Sequence, residues 1–219
     1  MSIFDLTDRA PDATKKEEMG VAHGATRSDL ARVTALVERA RQGEAAAIQE
    51  LFRAHLTGVH RVVYRLVGAS ADVDDLVQTA FVEAFRSLAG FRGDALFSTW
   101  LARIAVRVTM HAVKRRPPRA QPLSETTELS ADLPSPERRV AAREGLALLD
   151  RLLSELRPKR RAAFVLHVLE GYPMEEVAAI LNASIAAVKV RVHDARRHLE
   201  RRIERDPRLA EAFAERTGP

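Results

Sequence analysis

Residues 117–136, PPRAQPLSETTELSADLPSP, hold five prolines and no helical stripe. Proline fixes φ and lacks an amide N–H, so such a run stops any helix that reaches it. On both sides apolar residues recur at helical spacing. A chain of 219 residues patterned this way is expected to be all-α: two helical domains joined by a flexible linker. The composition agrees, with 46% hydrophobic residues but only 5% aromatic, and Ala, Leu, Arg and Val dominant.

Residues 1–27 mix Gly, Asp, Thr and Lys without periodicity and read as an N-terminal tail. Residues 28–116 predict four helices. Ser28 is of N-cap type, and Leu30, Val33, Leu36 and Val37 follow at helical spacing. A long helix from about Glu44 to Val67 is carried by Ile48, Leu51, Phe52, Leu56, Val59, Val63 and Leu66, and Gly68 closes it. The next opens at Asp72, and Asp72, Asp74 and Asp75 suit the positive end of its dipole. A loop, GFRGDALF, leads to Ser98 and a helix ending near Arg116.

Two features here ask for more than packing. Asp72, Asp75 and Gln78 lie beside an apolar ridge; a capped N-terminus accounts for the acids but not for Gln78. In the last helix Leu101, Ile104, Ala105, Val108 and Ala112 form an inward stripe, while Trp100, Arg103, Arg107, Met110 and Lys114 line the other side. A Trp ahead of two Arg and a Lys suits unstacked bases on a single strand. The competing expectation is that Trp100 packs on a neighbouring helix.

Residues 137–205 form the second unit, and 206–219 a C-terminal tail. One helix carries Val140, Leu146, Leu149, Leu152, Leu153 and Leu156; Pro158 starts the next, with Phe164, Val165, Val168 and Leu169. Then GYPMEEVAAILNASIAAVKVRVHDARRHL reads as a helix-turn-helix. Glu175 to Leu181 form the bracing helix, Asn182 tolerates the left-handed conformation of the turn, and Ser184 caps the second helix or leaves its N–H groups to a phosphate. That helix buries Ile185, Val188, Val192, Ala195 and Leu199. Opposite lie Ala186, Ala187, Val190, His193, Asp194, Arg197 and Arg201, with Lys189, Arg191 and Arg196 on the flanks. Val190 suits a thymine methyl, and His193 and Arg197 suit bases or phosphates. Asp194 either accepts from a cytosine amino group or holds a neighbouring Arg. A basic face is also what a merely solvated helix shows.

The net charge of +5 favours polyanionic partners without proving them. With no cysteine, disulfides and thiolate metal sites are excluded. No metal or other cofactor is expected: His55/His60 and His193/His198 are each five apart, which misaligns them on a helix. HExxH, Walker and nucleophile-elbow motifs are absent, which argues against an enzyme. No apolar run approaches the ~18 residues of a membrane span, and the first residues lack the order of a signal peptide, so a cytoplasmic protein without membrane insertion is expected.

ARQGEAAAIQELFRAHLTGVHRVVYRLVG, DVDDLVQTAFVEAFRSLAGFRGDALFSTWLARIA and LLSELRPKRRAAFVLHVLEGYPMEEVAAILNASIAAVKVRVHDARRHL stand in the order and spacing of one family. The chain resembles a bacterial RNA polymerase sigma factor of the extracytoplasmic-function (ECF) group of the sigma-70 family. The resemblance implies a region 2-like domain at 28–116 and a region 4-like domain at 137–205. It implies that core polymerase is bound at its β′ clamp helices and β flap, with Asp72, Asp75, Leu76, Val77 and Gln78 on the clamp helices. Phe91, Arg92 and Asp94 then fall in the loop that captures a flipped base of the −10 element, and Trp100, Arg103 and Arg107 on the helix meeting −10 DNA. Ser184, Lys189, Val190, Arg191, His193, Asp194 and Arg197 fall on the −35 reader. The linker acids Glu125, Glu128 and Asp132 would face the active-site cleft, and an anti-sigma factor is an implied partner. The chain departs from the pattern at Ala186-Ala187, where Gly-Thr is frequent, at Asp194, where Arg is common, and at Asn182, where Gly is usual. The alternative from residue types alone is a free-standing helix-turn-helix regulator, which leaves DDLVQ unexplained.

Overall fold

The structure is a computed structural model that describes residues 27–70, 72–115, 145 and 147–206. The proposed linker 117–136, residues 1–26 and the tail beyond Asp206 lie outside these residues. Every regular element among the described residues is helical.

In the first half, α1 (Arg27–Arg41), α2 (Ala45–Val67), α3 (Val73–Arg86) and α4 (Phe97–Arg115) pack as a bundle. Ser28 lies inside α1 instead of capping it, because the helix is already formed at Arg27. Leu51, Val63, Phe81, Leu101 and Ile104 meet in the core, and Ala47, Ala80, Ala84 and Ala105 let the helices approach closely. Fully burying each large side chain is worth roughly 1.5–3 kcal/mol. A short 3₁₀ turn, Leu88–Gly90, redirects the chain from α3 into the loop before α4.

The second half runs through helical residues 147–154 (α5), α6 (Pro158–Phe164), α7 (Met174–Ile180) and α8 (Ile185–Glu204). Pro158 occupies the first turn of α6, where a missing N–H costs nothing. Beyond Phe164 the helix widens into a π-helical turn, Val165–Leu169, and the Glu170 N–H bonds the Val165 carbonyl five residues back. Leu156, placed by its periodicity in the preceding helix, sits in the turn before α6 yet is still buried.

The two halves share a core. Val62 and Leu66 of α2 and Ala102 and Val106 of α4 belong to the same apolar cluster as Leu153, Phe164, Val165, Leu166, Tyr172, Val177 and Val188. Helices α2 and α4 are therefore buried on two sides, although periodicity identified only one.

Polar groups line this seam. The Glu170 carboxylate, its side chain 3% exposed, accepts from Arg61 Nε at 2.9 and 3.2 Å and from Arg65 Nη1 at 2.5 Å. Arg161 donates to the Arg65 carbonyl at 2.7 Å and to Asp150 at 3.1 Å, and Asp150 also accepts from the Ala69 N–H at 3.1 Å. Thr99 donates to Glu176. Burial pulls the guanidinium of Arg161 below its ordinary value and Asp150 pushes it back. Burial likewise raises the Tyr172 phenol.

Candidate nucleic-acid and partner interfaces

The helix-turn-helix is built by local rules. Asn182 takes φ 46, the left-handed conformation in which Asn is among the few tolerated residues. This lets the Ala183 N–H reach the Ala178 carbonyl at 2.9 Å and turns the chain out of α7. Ser184 is extended, and its Oγ accepts from the Ala187 N–H at 3.2 Å, so α8 starts on a formed cap.

Helix α8 then divides into two faces. Val188, Val192, Ala195, Leu199 and also Ile203 are buried. Ile185, expected in that stripe, is 40% exposed: it is the first residue of α8 and lies beyond the edge of the core. Ala186, Lys189, Val190, His193, Arg197 and Arg201 are exposed, and Ala187, Arg191, Asp194 and Arg196 half-buried. Val190 is 59% exposed in the middle of this basic face, so folding alone does not use its side chain. Asp194 does not bond an Arg of its own helix; its Oδ2 pairs with Arg160 Nη2 of α6 at 2.8 Å.

The loop after α3 is held by Arg41, which donates to the Leu88 carbonyl at 3.3 Å and to the Phe91 carbonyl. Phe91, Phe97 and Trp100 then pack together, with Phe91 edge-on to Phe97 at 5.6 Å and 5.3 Å from Trp100. Phe97 is buried, whereas Phe91 and Trp100 are half-buried, so the cluster keeps aromatic surface at the rim. The Trp ridge is thus partly a packing feature. Arg92, Asp94, Arg103 and Arg107 are exposed, and Arg107 pairs with Glu83 at 2.6 Å. Met110, expected on the exposed ridge, packs half-buried against the shared core.

On α3, Asp72, Asp75 and Gln78 are exposed, Leu76 is half-buried and Val77 is 4% exposed. Val77 therefore belongs to the core and offers no contact surface, because its position follows the inward helical period. Asp72 exchanges hydrogen bonds with Ser70, and Asp74 lies 3.5 Å from His60. Sequence reasoning missed Val82, 41% exposed, which extends the strip of Asp75, Gln78 and Thr79 at helical spacing. Its signal was an apolar residue off the inward stripe. Arg160 was also missed, because its partner is on another helix.

Two all-helical halves, one presenting a capped basic helix behind a tight turn and the other a rim of aromatic and basic side chains, define a bipartite helix-turn-helix protein. Residues 51–117 match the family model for sigma-70 region 2, and residues 146–199 that for sigma-70 region 4. RNA polymerase sigma-H factor of Pseudomonas aeruginosa is 31% identical over 186 residues, 81% of this chain and 95% of that protein. ECF RNA polymerase sigma-E factor of Escherichia coli K12 is 33% identical over 178 residues, 77% and 93% of the two chains. The solved structure of CnrH in complex with the cytosolic domain of CnrY superposes with a TM-score of 0.61 at 28% identity, covering 78% of this chain and 97% of that one. RpoE of Bartonella quintana, in complex with the anti-sigma factor NepR, shares the fold at a TM-score of 0.56 and 18% identity, over 72% and 97%. The chain belongs to the sigma-70 family of RNA polymerase sigma factors, in its ECF group.

Proposed function

We propose that the protein confers promoter recognition on core RNA polymerase by dividing three tasks among its helices. The exposed strip of α3, Asp72, Asp75, Gln78 and Val82 with Leu76 beside it, docks on the polymerase clamp. The exposed face of α8 reads the −35 element, with Lys189, Val190, His193 and Arg197 towards the groove and Ser184 and Arg191 at its edges. The loop Phe91–Asp94 and the ridge Trp100, Arg103 and Arg107 engage the melted −10 strand.

The observation that carries this reading is the half-buried Phe91–Trp100 pair edged by exposed arginines. Unstacking a base costs a few kcal/mol, and stacking on an aromatic rim returns about 1–3 kcal/mol per base. The role is one of binding and strand opening, not catalysis, and it places the protein in the cytoplasm with the polymerase. No helix among the described residues is long and apolar enough to cross a membrane. CnrH was solved in complex with the cytosolic domain of CnrY, and RpoE of Bartonella quintana with the anti-sigma factor NepR, which supports an anti-sigma factor as the partner that restrains this chain.

Permanganate mapping of holoenzyme on a promoter tests the division of labour. Trp100→Ala with Arg107→Ala is expected to keep polymerase binding and to reduce reactive thymines near −10. Wild-type reactivity in the double variant would overturn it.

A further inference from the structure

The acid on the reading face of α8 is the feature that promoter recognition does not explain. A carboxylate pressed towards a polyanion is repelled unless something neutralises it. Here the Arg160 guanidinium reaches across from α6 and meets Asp194 Oδ2 at 2.8 Å, with the two side chains 39% and 36% exposed. We propose that Asp194 is a positioning residue: it fixes Arg160 at the flank of α8, where Arg160 grips a phosphate of the −35 duplex. The proposal rests on the −35 reading given above.

Three observations support it. The guanidinium has five N–H donors, and Nη2 is the group engaged with Asp194, so donors remain for a phosphate oxygen. An α-helix with its side chains is about 10–12 Å across and the major groove about 12 Å wide, so α8 fills the groove. A side chain arriving from the adjacent helix α6 then meets the groove wall, which is phosphate, and not the base edges. Arg157, Arg160 and His198 also line a shallow cleft of about 300 Å³ between the start of α6 and α8. Its acid, Glu155, pairs with Arg202 at 2.9 Å and lies 3.6 Å from His198, which leaves Arg157 and Arg160 as its strongest cationic lining.

The pair also accounts for an acid where this resemblance commonly has Arg. The guanidinium is presented from position 160, while Asp194 holds it in place before DNA arrives, so less side-chain entropy is lost on binding. Base readout by Asp194 makes a different forecast. A carboxylate accepting from cytosine discriminates one base pair by about 1–3 kcal/mol, whereas a phosphate grip weakens or strengthens all sequences alike.

The test uses holoenzyme made with full-length protein and a genomic promoter fragment that it transcribes, with each −35 base pair varied in turn and binding measured over a range of salt. Arg160→Ala is expected to weaken binding several-fold on every sequence and to lower the salt slope by about one. Asp194→Asn is expected to weaken binding less and to leave the preferred bases unchanged. The double variant Arg160→Ala/Asp194→Ala is expected to bind better than Arg160→Ala alone, because the unpaired acid beside the phosphate is gone. Both side chains are partly exposed, and equal thermal midpoints confirm that the variants fold. A changed base preference in Asp194→Asn, or an unchanged salt slope in Arg160→Ala, overturns the proposal. Wild-type holoenzyme indifferent to every −35 change overturns the −35 reading and this proposal with it.

Discussion

Arg61 of α2 and Glu170, after the π-helical turn, are 109 residues apart in sequence and joined by an ion pair in which the Arg61 Nε–H is shared between the two carboxylate oxygens at 2.9 and 3.2 Å. The pair closes the two halves of the chain over a shared apolar core. A folded body of about 150 residues is roughly 40 Å across. Elements about 25 base pairs apart lie roughly 85 Å apart along straight duplex at ~3.4 Å per pair. Reading both therefore requires the seam to part. The 29 residues from 116 to 144 lie between the described halves.

Glu170→Ala leaves Arg61 and Arg65 facing the seam without their buried carboxylate. Removing one partner of a buried ion pair costs about 3–5 kcal/mol, which here falls on the seam between the halves. The expected result is a larger radius of gyration by small-angle scattering, with the helical circular dichroism of the wild type. An unchanged radius would contradict the clasp.

Gly68 stands at φ 83, ψ −165, a region held almost only by glycine, and an added Cβ would lie 2.9 Å from Asp150 Oδ1. Gly43, at φ 82, has open space around it. Both substitutions carry backbone strain of about 1–3 kcal/mol, and Gly68→Ala is predicted to lose more than Gly43→Ala because only there does the new Cβ press on Asp150. Equal losses in urea unfolding would show that Asp150 gives way freely.

The turn of the helix-turn-helix separates two local effects. Asn182→Gly is expected to be near neutral, whereas Asn182→Val forces a β-branched residue to φ 46 and loses roughly 1–2 kcal/mol. Ser184→Ala removes the bond to the Ala187 N–H and loses ~1 kcal/mol. Thermal midpoints that fall from Asn182→Gly through Ser184→Ala to Asn182→Val support the geometry; the reverse order refutes it.

His55 packs against Phe97 at 5.1 Å, its Nε2 is buried without a hydrogen bond, and burial lowers its pKa from 6.5. The unfolded chain therefore takes up a proton before the folded one does. Stability from this group is present above pH 6.5 and falls as the pH drops below it, by at most ~1.4 kcal/mol per pH unit. His55→Leu is predicted to flatten the stability profile below pH 6.5. Parallel profiles would mean that His55 does not contribute.

What the sequence disclosed and what it hid follow from the range of each interaction. Asn182 and Ser184 were legible because a left-handed turn and an N-cap are set by neighbouring residues. Val188, Val192, Ala195 and Leu199 followed from helical period. The seam was hidden because a helix buried on two sides, as α2 and α4 are, shows no single clean stripe: Val62, Ala102 and Val106 lie off the inward stripes that periodicity picks out, and Leu66 counts towards the α2 stripe without marking a second face. Glu170 and Arg61 carry no sequence signal of their pairing, since nothing local marks a partner 109 residues away. Asp194 was left between two roles for the same reason, its partner lying on α6. Val77 was misassigned by transferring a motif whole, although its own period turns it into the core.

Both halves of the chain converge on promoter selection on behalf of RNA polymerase. Run-off transcription with purified core enzyme, this protein and pooled genomic fragments, with start sites sequenced, addresses it directly. Starts are expected that appear only with the protein and share a −35 and a −10 element at fixed spacing. Tight, specific DNA binding by the protein alone, with no stimulation of the core enzyme, would contradict it.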